Sequence, residues 1–244
     1  MKKDLKDYIY DELLPQVEKP GRYVGTEINS VQKNLEEIGI RFAFCFPDIY
    51  EIAMSHLGMK ILYHILNKQK DIWCERVFAP WVDMEALMRK EGIKLFALES
   101  RDYIHKFDFV GFTLQYEMSY TNIINMLDLA GISILSHERG EGEPIVIAGG
   151  PCAYNPEPLA EIVDIFVLGD GEKVILELME SYRLWKRHGG IRRDFLKCAA
   201  SIDGIYIPSL YEVEYNEDNT IKAMEPIVDY VPRKIKKRIV KEDR

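Results

Sequence analysis

Two glycine-rich stretches, Gly149-Gly150-Pro151 and Gly169-Asp170-Gly171-Glu172, each stand directly after an apolar run, at 145–148 and 165–168. An apolar run of four to eight residues closed by glycine reads as a buried strand ending in a turn. Two such units in succession place both turns at the carboxyl edge of one parallel sheet, where open α/β sheets bind ligands. Polar residues gather after the other predicted strands: Asp48, Tyr50 and Glu51 after 41–46, and Thr113, Gln115 and Tyr116 after the run that starts at 109. With Gly149, Gly150, Pro151, Asn155, Gly169, Asp170, Gly171 and Glu172 they form the candidate ligand-binding set. Glycine admits a ligand to the backbone, and a helix N-terminus offers free N–H groups to an anion. The competing reading is that these glycines only permit tight strand-to-helix turns.

The absent patterns narrow the chemistry. Gly149-Gly150-Pro151 is not GxGxxG and no lysine of a phosphate-binding loop follows either turn, which argues against a dinucleotide or triphosphate site. Asp48 and Glu51 are spaced for a carboxylate pair, but two acids in a helix's first turn also complement its dipole, the reading we favour. His56 lies in an apolar helical stretch and reads as a packing or surface histidine. The four cysteines, Cys45, Cys74, Cys152 and Cys198, are far apart and form no CxxC, so neither a metal site nor a cluster is expected within these residues, and no catalytic residue is assigned.

The elements that must position this set alternate. Strands are expected at 41–46, 72–78, 95–98, 109–114, 145–148 and 165–168, and helices at 49–67, 83–91, 119–130 (N-capped by Ser119), 172–187 and 191–200. Near-continuous apolar strands between helices predict a parallel sheet covered on both faces, a doubly wound flavodoxin-like or Rossmann-like α/β fold. Residues 1–30 read as a short helix and an arm, and 201–230 as a small β-hairpin extension. The 244 residues suffice for one such domain with appendages. A formal net charge of −8 disfavours nucleic acid as a partner of the domain. The basic tract from Arg233 to Arg238, inside 231–244, reads as a solvated linker. No secretory or membrane-spanning segment is legible, so a cytoplasmic location is expected.

The glycine turns also carry a family likeness. Gly149-Gly150-Pro151-Cys152-Ala153, Asn155-Pro156-Glu157-Pro158-Leu159, Asp164 and Gly169-Asp170-Gly171-Glu172 together resemble a stretch of the cobalamin-binding-like N-terminal domain of radical S-adenosylmethionine (SAM) proteins. Pro47-Asp48-Ile49-Tyr50-Glu51 and Ser55-His56-Leu57-Gly58 are similar to the same domain in an uncharacterised group of large, fused radical SAM proteins. The resemblance spans roughly residues 20–230. It implies that 31–200 is a cobalamin-binding-like domain and that a linker leads beyond Arg244 into a radical SAM barrel, whose CxxxCxxC would hold a [4Fe–4S] cluster and SAM. Cobalamin or a substrate becomes the candidate ligand at the strand ends. One departure matters: where the family's cobalt-binding motif has Asp-x-His-x-x-Gly, the positions flanking His56 hold Met54 and Met59, so His56 is not placed as a cobalt ligand. Two other functions stay open at this level: a stand-alone flavodoxin-like protein binding a small molecule, and an interaction module using the hairpin and the basic tail on protein or RNA.

Overall fold

The computed structural model describes residues 4–240. A short helix α1 (Leu5–Tyr8) and an arm lead into β1 (Ile40–Phe46), α2 (Tyr50–Ala53), α3 (Leu57–Asn67), β2 (Ile72–Phe78) and α4 (Val82–Glu91). There follow β3 (Phe109–Thr113), α5 (Tyr120–Ala130), β4 (Ile145–Gly149), β5 (Ile165–Val167), α6 (Gly171–His188) and α7 (Arg192–Ala199). The chain closes with β6 (Ile205–Tyr206) and the hairpin of β7 (Tyr211–Tyr215) and β8 (Ile221–Pro226). The main sheet has the order β2-β1-β3-β4-β5-β6. Its first five strands are parallel and β6 is antiparallel. This is the predicted doubly wound α/β fold with an antiparallel C-terminal hairpin.

Because successive strand side chains point to opposite faces, each central strand feeds two cores. Ala43, Cys45, Val110, Phe112, Val146, Ala148 and Phe166 pack under α4, α5 and the arm's Ile9 and Leu13. Phe42, Phe44, Phe109, Ile147, Ile165 and Val167 pack under α3, α6 and α7. The second layer centres on Phe109, whose ring stands edge-on to Tyr182 at 4.6 Å and to Phe195 at 5.9 Å.

The two edges of the sheet differ in kind. At the amino-terminal edge an aspartate precedes each of β2, β3 and β5, and each is held by a cation from α6 or α7: Asp71 by Arg183 at 2.5 Å, Asp108 by Lys186 at 2.7 Å and Asp164 by Arg192 at 2.7 Å. α6 runs back antiparallel to the strands, so its last turns bring cations to this edge, where they also face its own dipole favourably. Asp164, part of the motif that carried the family likeness, is therefore a structural hub. Its Oδ2 accepts from Arg139 Nη1 (2.8 Å), Arg192 Nη2 (2.7 Å) and the backbone N–H of Val146 (2.7 Å).

Several local readings change in three dimensions. The single helix expected over 49–67 is two, because the chain breaks at Ser55-His56 and α3 restarts with His56 as its N-cap. Residues 95–98 form no strand; Phe96 makes one antiparallel bridge to Tyr103, and Arg101 between them takes φ 70°. Ser119 precedes α5 but its side chain makes no capping bond, donating instead to the carbonyl of Tyr116 at 2.7 Å. Ile205-Tyr206 joins the main sheet beside β5, with Tyr206 stacked on Phe166 at 6.0 Å, and stands apart from the hairpin. The tract expected as linker is docked in part: the Arg238 backbone N–H donates to the carbonyl of Leu168 (2.7 Å) and the Arg238 carbonyl accepts from the backbone N–H of Asp170 (3.0 Å), while its guanidinium pairs with Glu177. Among the described residues no helix is long and apolar enough to cross a membrane.

Candidate functional site

In the order β2-β1-β3 the chain leaves β1 first to one side and later to the other, so the crossovers diverge at the carboxyl ends of β1 and β3. Such a switch point opens a crevice between the outgoing helices. A cavity of about 210 Å³ lies beside these strand ends on one face of the sheet, between it and helices α3 and α6. Its apolar wall is Phe42, Phe44, Ile147 and Val167 from the sheet, Ile61, Leu62 and Leu66 from α3, and Ile175 from α6. Towards the strand ends it is bounded by Thr113, Gln115, Gly149, Gly150, Gly169, Asp170, Gly171 and Glu172, with His56 and Gly58 on the α3 side.

The structure thus gathers eight of the fourteen sequence-chosen residues around one cavity and leaves six elsewhere. Tyr116, Pro151 and Asn155 are exposed beyond the strand ends and do not line it. Asp48 accepts from the backbone N–H of the next residue, Ile49, at 2.7 Å. The Tyr50 hydroxyl donates to Glu27 Oε1 at 2.7 Å; burial first and this hydrogen bond second push its hydroxyl up to about 12. Glu51 is paired with Arg22 of the arm at 2.9 Å, and that hydrogen bond holds its carboxyl below the usual range. Tyr50 and Glu51 thus fasten the arm, while Asp48 bonds within its own turn.

Two of the four turn glycines admit other parts of the chain. Gly169 has φ +100°, and a Cβ there would lie 2.1 Å from the carbonyl oxygen of Arg238. Gly150 has φ +107°, with its Cβ position 2.8 Å from the Leu114 carbonyl oxygen. Gly169→Ala combines that collision with a backbone region alanine avoids. It is expected to cost about 1–3 kcal/mol and to free the segment around Arg238, read as faster hydrogen exchange at the Arg238 and Asp170 amides.

Sequence reasoning missed the cavity wall, because Phe42, Phe44, Ile147 and Val167 look like ordinary core. One signal was available: Gly111 sits mid-strand, where glycine is unfavourable unless something approaches closely. A Cβ there would come within 2.5 Å of the Phe42 ring, so the glycine sets where that ring lies and how far the cavity extends. His56 was also undervalued. Its Nδ1 accepts from the backbone N–H of Met59 at 3.1 Å while its ring packs on Phe46 at 5.4 Å. Replacing it by alanine removes the α3 cap and is expected to cost about 1 kcal/mol, seen as a lowered denaturation midpoint.

Electrostatically the lining holds two carboxylates, Asp170 and Glu172, and neither lysine nor arginine. The Asp170 carboxylate is engaged by the backbone N–H of Val240 at 2.8 Å. The polar groups closest to the wall are neutral: Gln115 Nε2 donates to Thr113 Oγ1 at 2.7 Å. Such a site suits an uncharged, largely apolar group and repels a polyanion. Among the described residues no cluster of three metal-ligating side chains occurs.

Residues 58–208 match the family described as the N-terminal region of radical SAM proteins. The chain belongs to that family. An uncharacterized protein of Methanocaldococcus jannaschii is 26% identical over 188 residues, which is 75% of this chain and 31% of that relative. The chain thus spans about a third of the relative's length. No solved structure matches. The matched family region takes in α3, the wall of the cavity from β3 to β5, both glycine turns and α6.

Proposed function

We propose that this radical SAM N-terminal domain is a non-catalytic accessory domain, and that its switch-point cavity receives the flat, apolar end of a ligand used by a fused catalytic domain. The observation that carries the proposal is the apolar cavity between the sheet, α3 and α6, bounded by the paired glycine turns. At about 210 Å³ it is smaller than the roughly 300–1,000 Å³ of pockets that enclose a whole drug-sized ligand. It is therefore sized for one end of a larger molecule.

Cobalamin, the ligand implied by the likeness of the glycine turns, fits this requirement: its nucleotide tail ends in a neutral bicyclic base, and its single phosphodiester is far from a polyanion. Phe42, Phe44, Ile147, Val167 and Ile175 would hold the base, and Thr113 and Gln115 would offer it hydrogen bonds. When bound, cobalamin supplies a cobalt centre that carries an alkyl group. His56, the one imidazole on the lining, already uses its Nδ1 lone pair for the α3 cap. The domain's own contribution is to bind, orient and exclude water.

Anaerobic titration of the full-length protein with hydroxocobalamin tests this reading. A shift in the corrin absorbance and co-elution on gel filtration are expected. Absence of both would leave the domain a scaffold without a corrin.

A further inference from the structure

A second hollow lies on the same face of the sheet, at its β2 edge, and shares no lining residue with the first. There the arm arches off the sheet. The backbone N–H of Ser30 donates to the carbonyl of Glu27 at 2.9 Å, and Ile28, at the tip of that turn, is fully exposed. Both ends of the turn are fastened. Glu27 pairs with Arg76 of β2 at 2.7 Å, while the Val31 N–H donates to the Tyr63 hydroxyl at 2.7 Å and its carbonyl accepts from Trp73 Nε1 at 3.0 Å. Between this turn, α2 and α3 is a cavity of about 750 Å³, within the roughly 300–1,000 Å³ of pockets that enclose a whole small ligand. Val31, Ala53, Met54 and Met59 give it an apolar wall.

The charged groups on its lining favour an anion. Arg76 has a side chain only 7% exposed, yet its donors are incompletely matched. Nε donates to Glu99 at 2.6 Å and Nη2 to Glu27 at 2.7 Å, but among the described residues Nη1 reaches nothing better than the Met54 sulfur, at 3.5 Å. A thioether is a weak acceptor, and buried polar groups are normally satisfied by stronger ones. Arg76 and Met54 both line the cavity. Lys60 and His64, four residues apart and so on one face of α3, stand exposed on the same lining, with no side-chain partner among the described residues. The single carboxylate there, Glu27, has both oxygens engaged, one by Tyr50 and one by Arg76. The switch-point cavity has the opposite balance, with two carboxylates and neither lysine nor arginine.

We propose that this cavity is a second binding site, for a small organic anion. Carboxylate or phosphate oxygens would accept from Arg76 Nη1, Lys60 and His64, and a short apolar body would lie against Val31, Met54 and Met59. The site does not depend on the ligand proposed for the switch-point cavity.

Isothermal titration of the full-length protein with hexanoate, hexyl phosphate and hexanol tests the proposal. At least one of the two anions is expected to bind about tenfold or more tightly than hexanol, the difference that one hydrogen bond to a charged group makes. Binding of one anion alone assigns the head group to its class. Lys60→Gln combined with His64→Gln changes two exposed side chains and should weaken the bound anion about tenfold or more; Arg76 is kept, because its pair with Glu99 is buried. Val167→Phe, in the wall of the other cavity, should leave the affinity unchanged. Hexanol binding as well as the anions, no binding of either anion, or an unaltered affinity in the Lys60 and His64 variant would overturn the proposal. So would loss of binding in Val167→Phe, which would put the hexyl chain in the switch-point cavity instead.

Discussion

Asp164→Asn is expected to lower the stability of the protein by about 3–5 kcal/mol, the loss typical of breaking a buried charge pair from one side. The Asp164 side chain is 2% exposed, and its two cationic partners, Arg139 and Arg192, are 0% and 10% exposed. Removing the carboxylate's charge leaves two guanidinium groups facing an amide in a dry site. Arg139 cannot swing to water, because its other nitrogens donate to the carbonyls of Ser133 (2.9 Å) and Ile134 (2.7 Å). Burial already pushes the Arg139 guanidinium below its ordinary value, and Asp164 is the main group opposing that. Urea denaturation followed by circular dichroism would show the loss as a lowered midpoint. Asp71→Asn is the matched control. Its side chain is 42% exposed, and the solvent-screened pair with Arg183 contributes about 1 kcal/mol or less.

Val167→Phe is expected to abolish ligand binding while leaving the fold in place. Val167 lies on the cavity wall beside Gly149, and a phenyl ring in its place extends into the open volume. Overpacking a filled core costs about 1–3 kcal/mol, but here the added atoms enter a void, so stability should change by less than about 1.5 kcal/mol. Affinity for hydroxocobalamin should fall by about 100-fold or more, equivalent to about 2.7 kcal/mol. Gly111→Ala should act in the same direction, because its methyl group drives the Phe42 ring from its place against the cavity. Equal losses of stability and binding would mean that the variant had disturbed the sheet rather than the cavity.

The sheet was legible because its central strands are short apolar runs, most of them stopped by proline or glycine. Features set by distant partners were not. Nothing near Ser55-His56 marks a helix break; it becomes favourable because the His56 ring finds Phe46 and caps Met59. Ile205-Tyr206 alternates like the hairpin that follows, yet it leaves the hairpin because Phe166 offers its ring on the neighbouring strand. Residues 95–98 have strand composition, but the carbonyl of Arg76 and the turn at Arg101 hold them as a loop over the β2 edge. The glycine turns are the sharpest case. Their position predicted the edge that bounds the cavity, but Gly169 is glycine because a segment about seventy residues later crosses it. The cavity wall was invisible for a related reason: core and binding-site phenylalanines have the same composition and differ only in what packs against them.

The central claim is that the cavity takes the apolar end of a larger ligand. Its most direct test is a parallel anaerobic titration of the full-length protein with hydroxocobalamin and with cobinamide, the same corrin without the nucleotide tail. If the base occupies the space between Phe42, Phe44, Val167 and Ile175, cobalamin binds and cobinamide binds at least about 100-fold more weakly, the loss of one well-buried aromatic anchor. Equal affinity for the two corrins, or no binding of cobalamin, would contradict it.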